Sequence, residues 1–278
     1  MRNYNIKPDL SEAERQKIQI IRNTYLNQRT NINYDFNNML IAKYCNFDSG
    51  RNDTFWNLFN KLDDFTDLSD PDTSLPNSLH ALQTAEAIRQ VGTYPDWFIL
   101  CGLIHDMGKI LFMNGCDEDG TSKTTQWAVV GDTFATGIPI PDSAIIPEFN
   151  IYNQDHCNII TKSGITRYEN GCGLDALSIS FGHDEYMYRL LLANNHKMPR
   201  EAEYIIRYHS LYVWHQDNAY SQYENDDDIK MKSVVREFNK FDLYTKDDAN
   251  KLEWTPELRE YYSNLVKKYI SSDMIIKY

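Results

Sequence analysis

The stretch Asp96-Trp97-Phe98-Ile99-Leu100-Cys101-Gly102-Leu103-Ile104-His105-Asp106-Met107-Gly108-Lys109 is apolar nearly all round until it reaches a histidine and an aspartate side by side. The pattern predicts a helix from Asp96 through Phe112. A helix with no polar face belongs at the centre of a fold. Neutral imidazole and carboxylate are common protein ligands for first-row metals, so His105-Asp106 reads as a metal-binding pair near a helix end. The dipeptide is frequent by chance, and its weight depends on what the rest of the chain supplies.

The chain has 278 residues, 42% of them hydrophobic and 13% aromatic, enough for a full core in one domain. Lysines and arginines number 28 against 40 acidic residues, a net charge of 28 − 40 = −12, which argues against a nucleic-acid or anionic-membrane surface. The five cysteines (Cys45, Cys101, Cys116, Cys157, Cys172) are odd in number and include no CxxC, so neither a disulfide framework nor a thiolate zinc site is expected. No apolar signal segment follows Met1, and no run approaches membrane-spanning length. The expectation is a cytoplasmic protein with reduced thiols.

Helical periodicity and caps predict further helices. Ser11-Glu12-Ala13-Glu14 resembles a capping box opening a helix to about Asn27. Others are expected over Asn33–Tyr44, Thr54–Leu62, Asn77 or Ser78 to Val91, Leu174–Ser180, Glu185–Asn194, Arg200–Trp214, Lys232–Tyr244 and Pro256–Ile270. Asp63–Pro76, rich in aspartate, reads as a loop. Asn114–Pro147 and Asn158–Gly173 read as irregular, with Trp127–Val130 as one short strand and Asp226-Asp227-Asp228 on a solvated turn. No repeat or low-complexity linker divides the chain, so the fold expected is mostly helical, a single domain over 1–278.

Of seven histidines, His80, His105, His183 and His209 sit in apolar, helix-like contexts, as does Asp242 in Phe238-Asn239-Lys240-Phe241-Asp242. Any one of them alone reads as a hydrogen-bonded core residue. Together they would be costly to bury without partners, and a metal cluster satisfies them at once. Four histidines with Asp106 and Asp242 are too many for one catalytic metal with open positions, and suit two. His156 and His196 read as surface residues, His215 as a support behind the ligands or a structural residue, and Asp184 as capping the helix or orienting His183.

The order His80, His105-Asp106, Asp242 resembles the HD-domain superfamily, whose members are mostly phosphohydrolases. Longer blocks resemble one branch of it, the myo-inositol oxygenase family. These include Pro76-Asn77-Ser78-Leu79-His80-Ala81-Leu82-Gln83-Thr84-Ala85-Glu86, Gly102 to Lys109, Gln126-Trp127-Ala128-Val129-Val130-Gly131-Asp132-Thr133-Phe134, Gly182-His183-Asp184-Glu185-Tyr186, Arg207-Tyr208-His209-Ser210, and Arg236 through Lys246. The resemblance implies an all-α, HD-domain-like helical bundle with long irregular loops over the metal site. Residues 1–30 would be an N-terminal arm and helix acting as a lid, and 63–246 the metal and substrate core. It also implies a di-iron oxygenase, mixed-valent Fe(II)/Fe(III), using O2 as co-substrate to cleave myo-inositol to D-glucuronate. One iron would take His80, His105 and Asp242, the other His183 and His209, with Asp106 bridging. Lys109 would act beside Asp106 on the reacting hydroxyl. Arg2, Asp67, Leu68, Ser69, Gly131, Asp132, His209, Ser210 and Lys246 would complete the substrate contacts. A monomer without nucleic-acid or membrane partners is expected. The segment Asn114–Thr125 looks like an insertion relative to the family, read as a solvated bulge.

Three other readings compete. A metal-dependent phosphohydrolase predicts phosphate release without O2, and an organophosphonate oxygenase needs a strongly cationic pocket. A helical binding module predicts no metal.

Overall fold

The computed structural model describes residue 4 and residues 10–69, 76–161, 167–244 and 252–278. Its helices are α1 (Glu12–Asn31), α2 (Tyr34–Tyr44), α3 (Phe55–Lys61), α4 (Asn77–Val91), α5 (Asp96–Ile104), α6 (Gln154–Thr161), α7 (His183–Ala193), α8 (Arg200–Tyr208), α9 (Tyr212–His215), α10 (Asp226–Tyr244) and α11 (Pro256–Tyr269). Among the described residues the only sheet is β1 (Asn52–Thr54) paired antiparallel with β2 (Ile275–Lys277), which ties the last residues to the start of α3. The fold is mostly helical, as the periodicity predicts; strands of three residues are too short to show an alternating pattern.

The central helix is α5. Leu100, Cys101, Leu103 and Ile104 are fully buried, and α4, α8, α10 and α11 all pack on it. Gly102 makes the α4 contact possible, because a Cβ there would come within 2.8 Å of the Ala85 backbone. The capping box of α1 forms as expected: the Ser11 hydroxyl accepts from Glu14 N at 3.3 Å, and Ser11 N donates to the Glu14 carboxylate at 2.8 Å.

Several expectations are corrected. The helix begun at Asp96 does not run to Phe112. It stops at Ile104, passes through His105-Asp106, and resumes as a tighter 3-10 helix over Met107–Asn114. Gly108 lies against α7 so closely that a Cβ would collide with the His183 carbonyl, a contact periodicity does not report. The helix expected over Arg200–Trp214 likewise breaks at His209-Ser210-Leu211 into α8 and α9. Both breaks fall on expected ligands.

Neither Asn77 nor Ser78 caps α4. The exposed first-turn donors go instead to Asp63, which accepts from Ser78 N at 3.0 Å and from the Ser78 hydroxyl at 2.7 Å. Trp127–Val130 forms turns bonded back to Gln126, not a strand. Leu174–Ser180 is one 3-10 turn followed by extended chain that bridges Ala135 through Ile179. Residues 158–161, expected to be irregular, belong to α6. Asp226-Asp227-Asp228 opens α10, and Asp228 is fully buried, accepting from Leu174 N, Asn225 N and the Tyr204 hydroxyl. The segment 114–125 is solvated only in part: Asp117, Glu118, Lys123 and Thr124 are exposed, but Asp119 and Thr121 are buried, and Asp119 accepts from Lys43 and Tyr44 of α2, each at 2.7 Å. His196 is not a surface residue either; its side chain is 3% exposed beside Glu203.

Candidate metal centre

The expected ligands come from helix ends. His80 lies in the first turn of α4 and His183 opens α7; His105-Asp106 and His209 directly follow α5 and α8; Asp242 sits in the last turn of α10. Because α5 touches α4, α8 and α10, and α8 touches α7, these ends meet in one place. All six side chains are buried, and five of them (His80, Asp106, His183, His209 and Asp242) line one cavity, with His105 packed behind, against Asp106 and Asp242.

The separations describe two adjoining clusters. His80 Nε2 lies 3.1 Å and His105 Nε2 3.2 Å from Asp242 Oδ1. His183 Nε2 is 3.3 Å from Asp106 Oδ1 and 3.3 Å from His209 Nε2, while His209 Nε2 is 4.0 Å from Asp106 Oδ1. Asp106 Oδ2 stands 3.6 Å from His105 Nε2, so this carboxylate faces both clusters.

The rings are oriented from behind. His105 Nδ1 donates to the Gly102 carbonyl at 3.0 Å, His183 Nδ1 to Val129 at 2.7 Å, and His209 Nδ1 to Ile206 at 3.1 Å. With Nδ1 carrying the proton, each Nε2 presents a lone pair to the cavity. Lone pairs of neighbouring imidazoles then face each other and face carboxylate oxygens, an arrangement that repels unless positive charge lies between them. His105 Nε2 accordingly has no hydrogen-bond partner despite the nearby Asp242 oxygen. The donor set, all nitrogen and oxygen without sulfur, fits metal ions such as iron or manganese.

The local field agrees. Burial alone would raise the Asp106 carboxyl, but Lys109, His105 and His183 outweigh it and hold the group well below the ordinary carboxylate range. Asp242 behaves alike, with His105 and His80 overcoming burial. Burial opposes a charge on His183, yet Asp184 and Asp106 raise its pKa to about 10, so the surrounding carboxylates favour positive charge beside that ring.

Lys109 is 5% exposed and bridges two carboxylates, Asp67 at 2.9 Å and Asp106 at 3.0 Å. Desolvation disfavours its charge, but those carboxylates more than compensate, and its pKa is raised. Asp67 also accepts from Ser69 N at 2.8 Å and from the Ser69 hydroxyl at 2.7 Å.

These groups surround a cavity of about 340 Å³, lined by Asp67, Ser69, Gly131, Asp132 and Ser210 beside His80, His183, His209 and Lys109. Of the expected substrate contacts, Leu68 is not among the residues lining this cavity; its N–H donates to Gln126 Oε1 at 2.8 Å. Arg2 and Lys246 lie outside the described residues. The Asp132 carboxylate is engaged with Arg29. Tyr4, Tyr25, Ile145 and Tyr212 also line the cavity, and sequence reasoning did not single them out. Asp184 proves more central than expected: Oδ1 lies 2.7 Å from His183 Nε2, 3.3 Å from His209 Nε2 and 3.2 Å from the Ser210 hydroxyl. His215 is structural, its Nε2 3.0 Å from the His209 carbonyl, which also accepts from Asn239 at 2.9 Å.

Among the described residues no helix is long and apolar enough to cross a membrane. Residues 18–278 match the family model described as myo-inositol oxygenase. An inositol oxygenase of Dictyostelium discoideum is 38% identical over 258 residues, covering 91% of this chain and 85% of the relative. An inositol oxygenase of Sus scrofa is 40% identical, covering 96% and 89%, and one of Homo sapiens is 41% identical, covering 88% and 83%. With the family model and these relatives spanning nearly the whole chain, the protein belongs to the myo-inositol oxygenase family.

Proposed function

We propose that this chain uses O2 to open the ring of myo-inositol between two hydroxyl-bearing carbons, giving D-glucuronate, at two iron ions. His80, His105 and Asp242 would hold one iron, His183 and His209 the other, and Asp106 would bridge them. Bound there, the metal pair would supply Lewis acidity for a vicinal diol and the electrons that activate O2, in a mixed-valent state. The reaction balances without an external reductant: myo-inositol and O2 become glucuronic acid and water.

The observation that carries this reading is one cavity in which the buried His/Asp cluster faces a buried lysine and several neutral hydrogen-bonding groups. A polyol needs such a mixture, because each buried hydroxyl left unpaired reduces affinity. Lys109 is the group best placed to act on a reacting hydroxyl. Held between Asp106 and Asp67, its ammonium can donate to an oxygen and stabilise alkoxide character there. Ser69 and Ser210 each offer a hydroxyl to the substrate's remaining oxygens, and Gly131, with φ +92, brings backbone close to it. Burial of the cluster limits water at the oxidising centre.

Phosphate-directed readings fit less well. Among the described lining residues Lys109 is the one lysine or arginine, and two carboxylates already neutralise it. We read the protein as a single domain over 1–278, its core in 63–246, acting as a cytoplasmic monomer. The acidic charge and unpaired cysteines support the location.

The test is direct. Protein loaded with ferrous iron, given myo-inositol and O2, should form glucuronate with matching oxygen uptake. Absence of oxygen uptake, with anaerobic turnover of a phosphoester instead, would sink the proposal.

A further inference from the structure

We propose that Arg29 of α1 is a positioning residue of the polyol site, acting on the substrate through Asp132. This rests on the inositol reading above. Arg29 is fully buried, yet it does not line the cavity; Asp132 does. Arg29 Nη2 donates to Asp132 Oδ1 at 3.0 Å, to Asp132 Oδ2 at 3.2 Å and to the Ile145 carbonyl at 3.3 Å. The guanidinium is itself held. Its Nη1 donates to Gln28 Oε1, and its plane lies over the Phe134 ring at 4.7 Å.

The same helix grips the backbone beside Asp132. Gln28 Nε2 donates to the Val130 carbonyl at 3.3 Å and the Asp132 carbonyl at 3.1 Å, and Asp132 N donates to the Tyr25 hydroxyl at 3.3 Å. On the far side Thr133 N donates to the Ser210 carbonyl at 3.0 Å, so the clamped loop is continuous with the strand of chain that carries Ser210. Gly131 sits at φ +92, and an added Cβ would press on Gln28 and Tyr25 at 3.3 Å.

A carboxylate has about four acceptor positions. Arg29 Nη2, on both oxygens, and Ile145 N, at 3.2 Å from Oδ2, fill three of these positions. Those bonds set the orientation of the carboxylate, whose remaining acceptor position on Oδ1 would take a substrate hydroxyl. A lysine at position 29 would keep the charge but could not reach Gln28, Ile145 and both carboxylate oxygens at once. α1 is therefore a fixed wall of the site.

The test is a cycle of R29K, D132N and R29K/D132N in the iron-loaded full-length protein, with KM for myo-inositol, kcat, metal content and Tm measured for each. R29K should raise KM roughly tenfold, the loss of one charge-assisted hydrogen bond, with kcat and metal content within about twofold of wild type. In the D132N background the same change should add nothing, because its path to the substrate is gone. Should R29K fail to fold, Q28M, which spares the ion pair and releases the two carbonyls, should raise KM in the same direction. Multiplying effects in the double variant, or an unchanged KM in R29K and Q28M, overturn the proposal. Wild-type protein that makes no glucuronate overturns the inositol reading and this proposal together; normal wild-type turnover with an unchanged R29K overturns this one alone.

Discussion

The two halves of the cavity are built differently. On the metal side each ligand stands at a helix end, and three of the four histidines are aimed by carbonyls, two of them (behind His105 and His209) in the turn just before the ring. Local hydrogen bonds hold His105 and His209, while His183 is aimed from Val129, 54 positions earlier. On the substrate side the groups sit on loops fixed by side chains far away in sequence: Arg29 and Gln28 hold Gly131-Asp132, and Gln126 holds the Thr66–Leu68 segment. The ligand half thus tolerates little change, because its parts share charge as well as position. The substrate half is a set of separable clamps whose loss shifts geometry by degrees.

The largest expected effect breaks the ligand half at the one carboxylate that faces both clusters. Asp106→Ala removes the proposed bridge and leaves Lys109, His105 and His183 without their common anion. Both metals should be lost or reduced to substoichiometric occupancy, with turnover falling by roughly three orders of magnitude or more. Metal analysis after ferrous loading and desalting checks it; two irons per chain retained in this variant would end the bridge assignment. Next comes Lys109→Ala, on the border between the halves. It contacts the metal side only through Asp106, so metal content should hold while kcat falls by about two to three orders of magnitude, the range expected for a donor that stabilises developing negative charge. Loss of metal in this variant would place Lys109 among the groups that build the centre.

Legibility in the sequence follows the same division. His80, His105-Asp106, His183, His209 and Asp242 could be picked out because each lies in an apolar helical setting where an unpartnered polar group needs a reason. Helix existence was readable from periodicity; the breaks at His105-Asp106 and His209-Ser210 were not. They arise from packing, as where Gly108 meets the His183 carbonyl, and packing has no local signature. Arg29 sits in an amphipathic helix as one charged residue among several, and nothing nearby in sequence announces its ion pair with a residue 103 positions away. The burial of Asp228 and Asp119 is hidden for the same reason. A run of acidic residues looks solvated until the partner elements that bury them are known.

A smaller effect probes the substrate half. Gln126 is buried and braces the loop before the 70–75 stretch, donating to the Thr66 carbonyl at 3.0 Å and accepting from Leu68 N at 2.8 Å. Gln126→Ala should leave metal content unchanged and raise KM for myo-inositol several-fold, with a stability cost of about 1–3 kcal/mol for the unpaired backbone groups. A metal-content defect here would show that the two halves are not separable.

The smallest effect on turnover concerns the support behind the ligands. His215 is buried against the His209 carbonyl, and desolvation lowers its pKa to about 4 from the usual 6.5. Between those values the unfolded chain binds a proton that the folded one refuses, so stability falls as pH drops through this window and is fully present above it. The lowering corresponds to roughly 3 kcal/mol. Denaturant titrations of wild type and His215→Gln, both after chelation so that metal release does not contribute, should show a steeper acid loss in the wild type by about that amount. Above pH 7 the variant should instead be the less stable of the two, or equal to it, because the histidine then pays no protonation penalty. Parallel curves across the window would mean that the ring is charged in the folded state. The His209 carbonyl would then face a cation behind the ligand cluster, and the ligand half would owe part of its rigidity to charge as well as to helix ends.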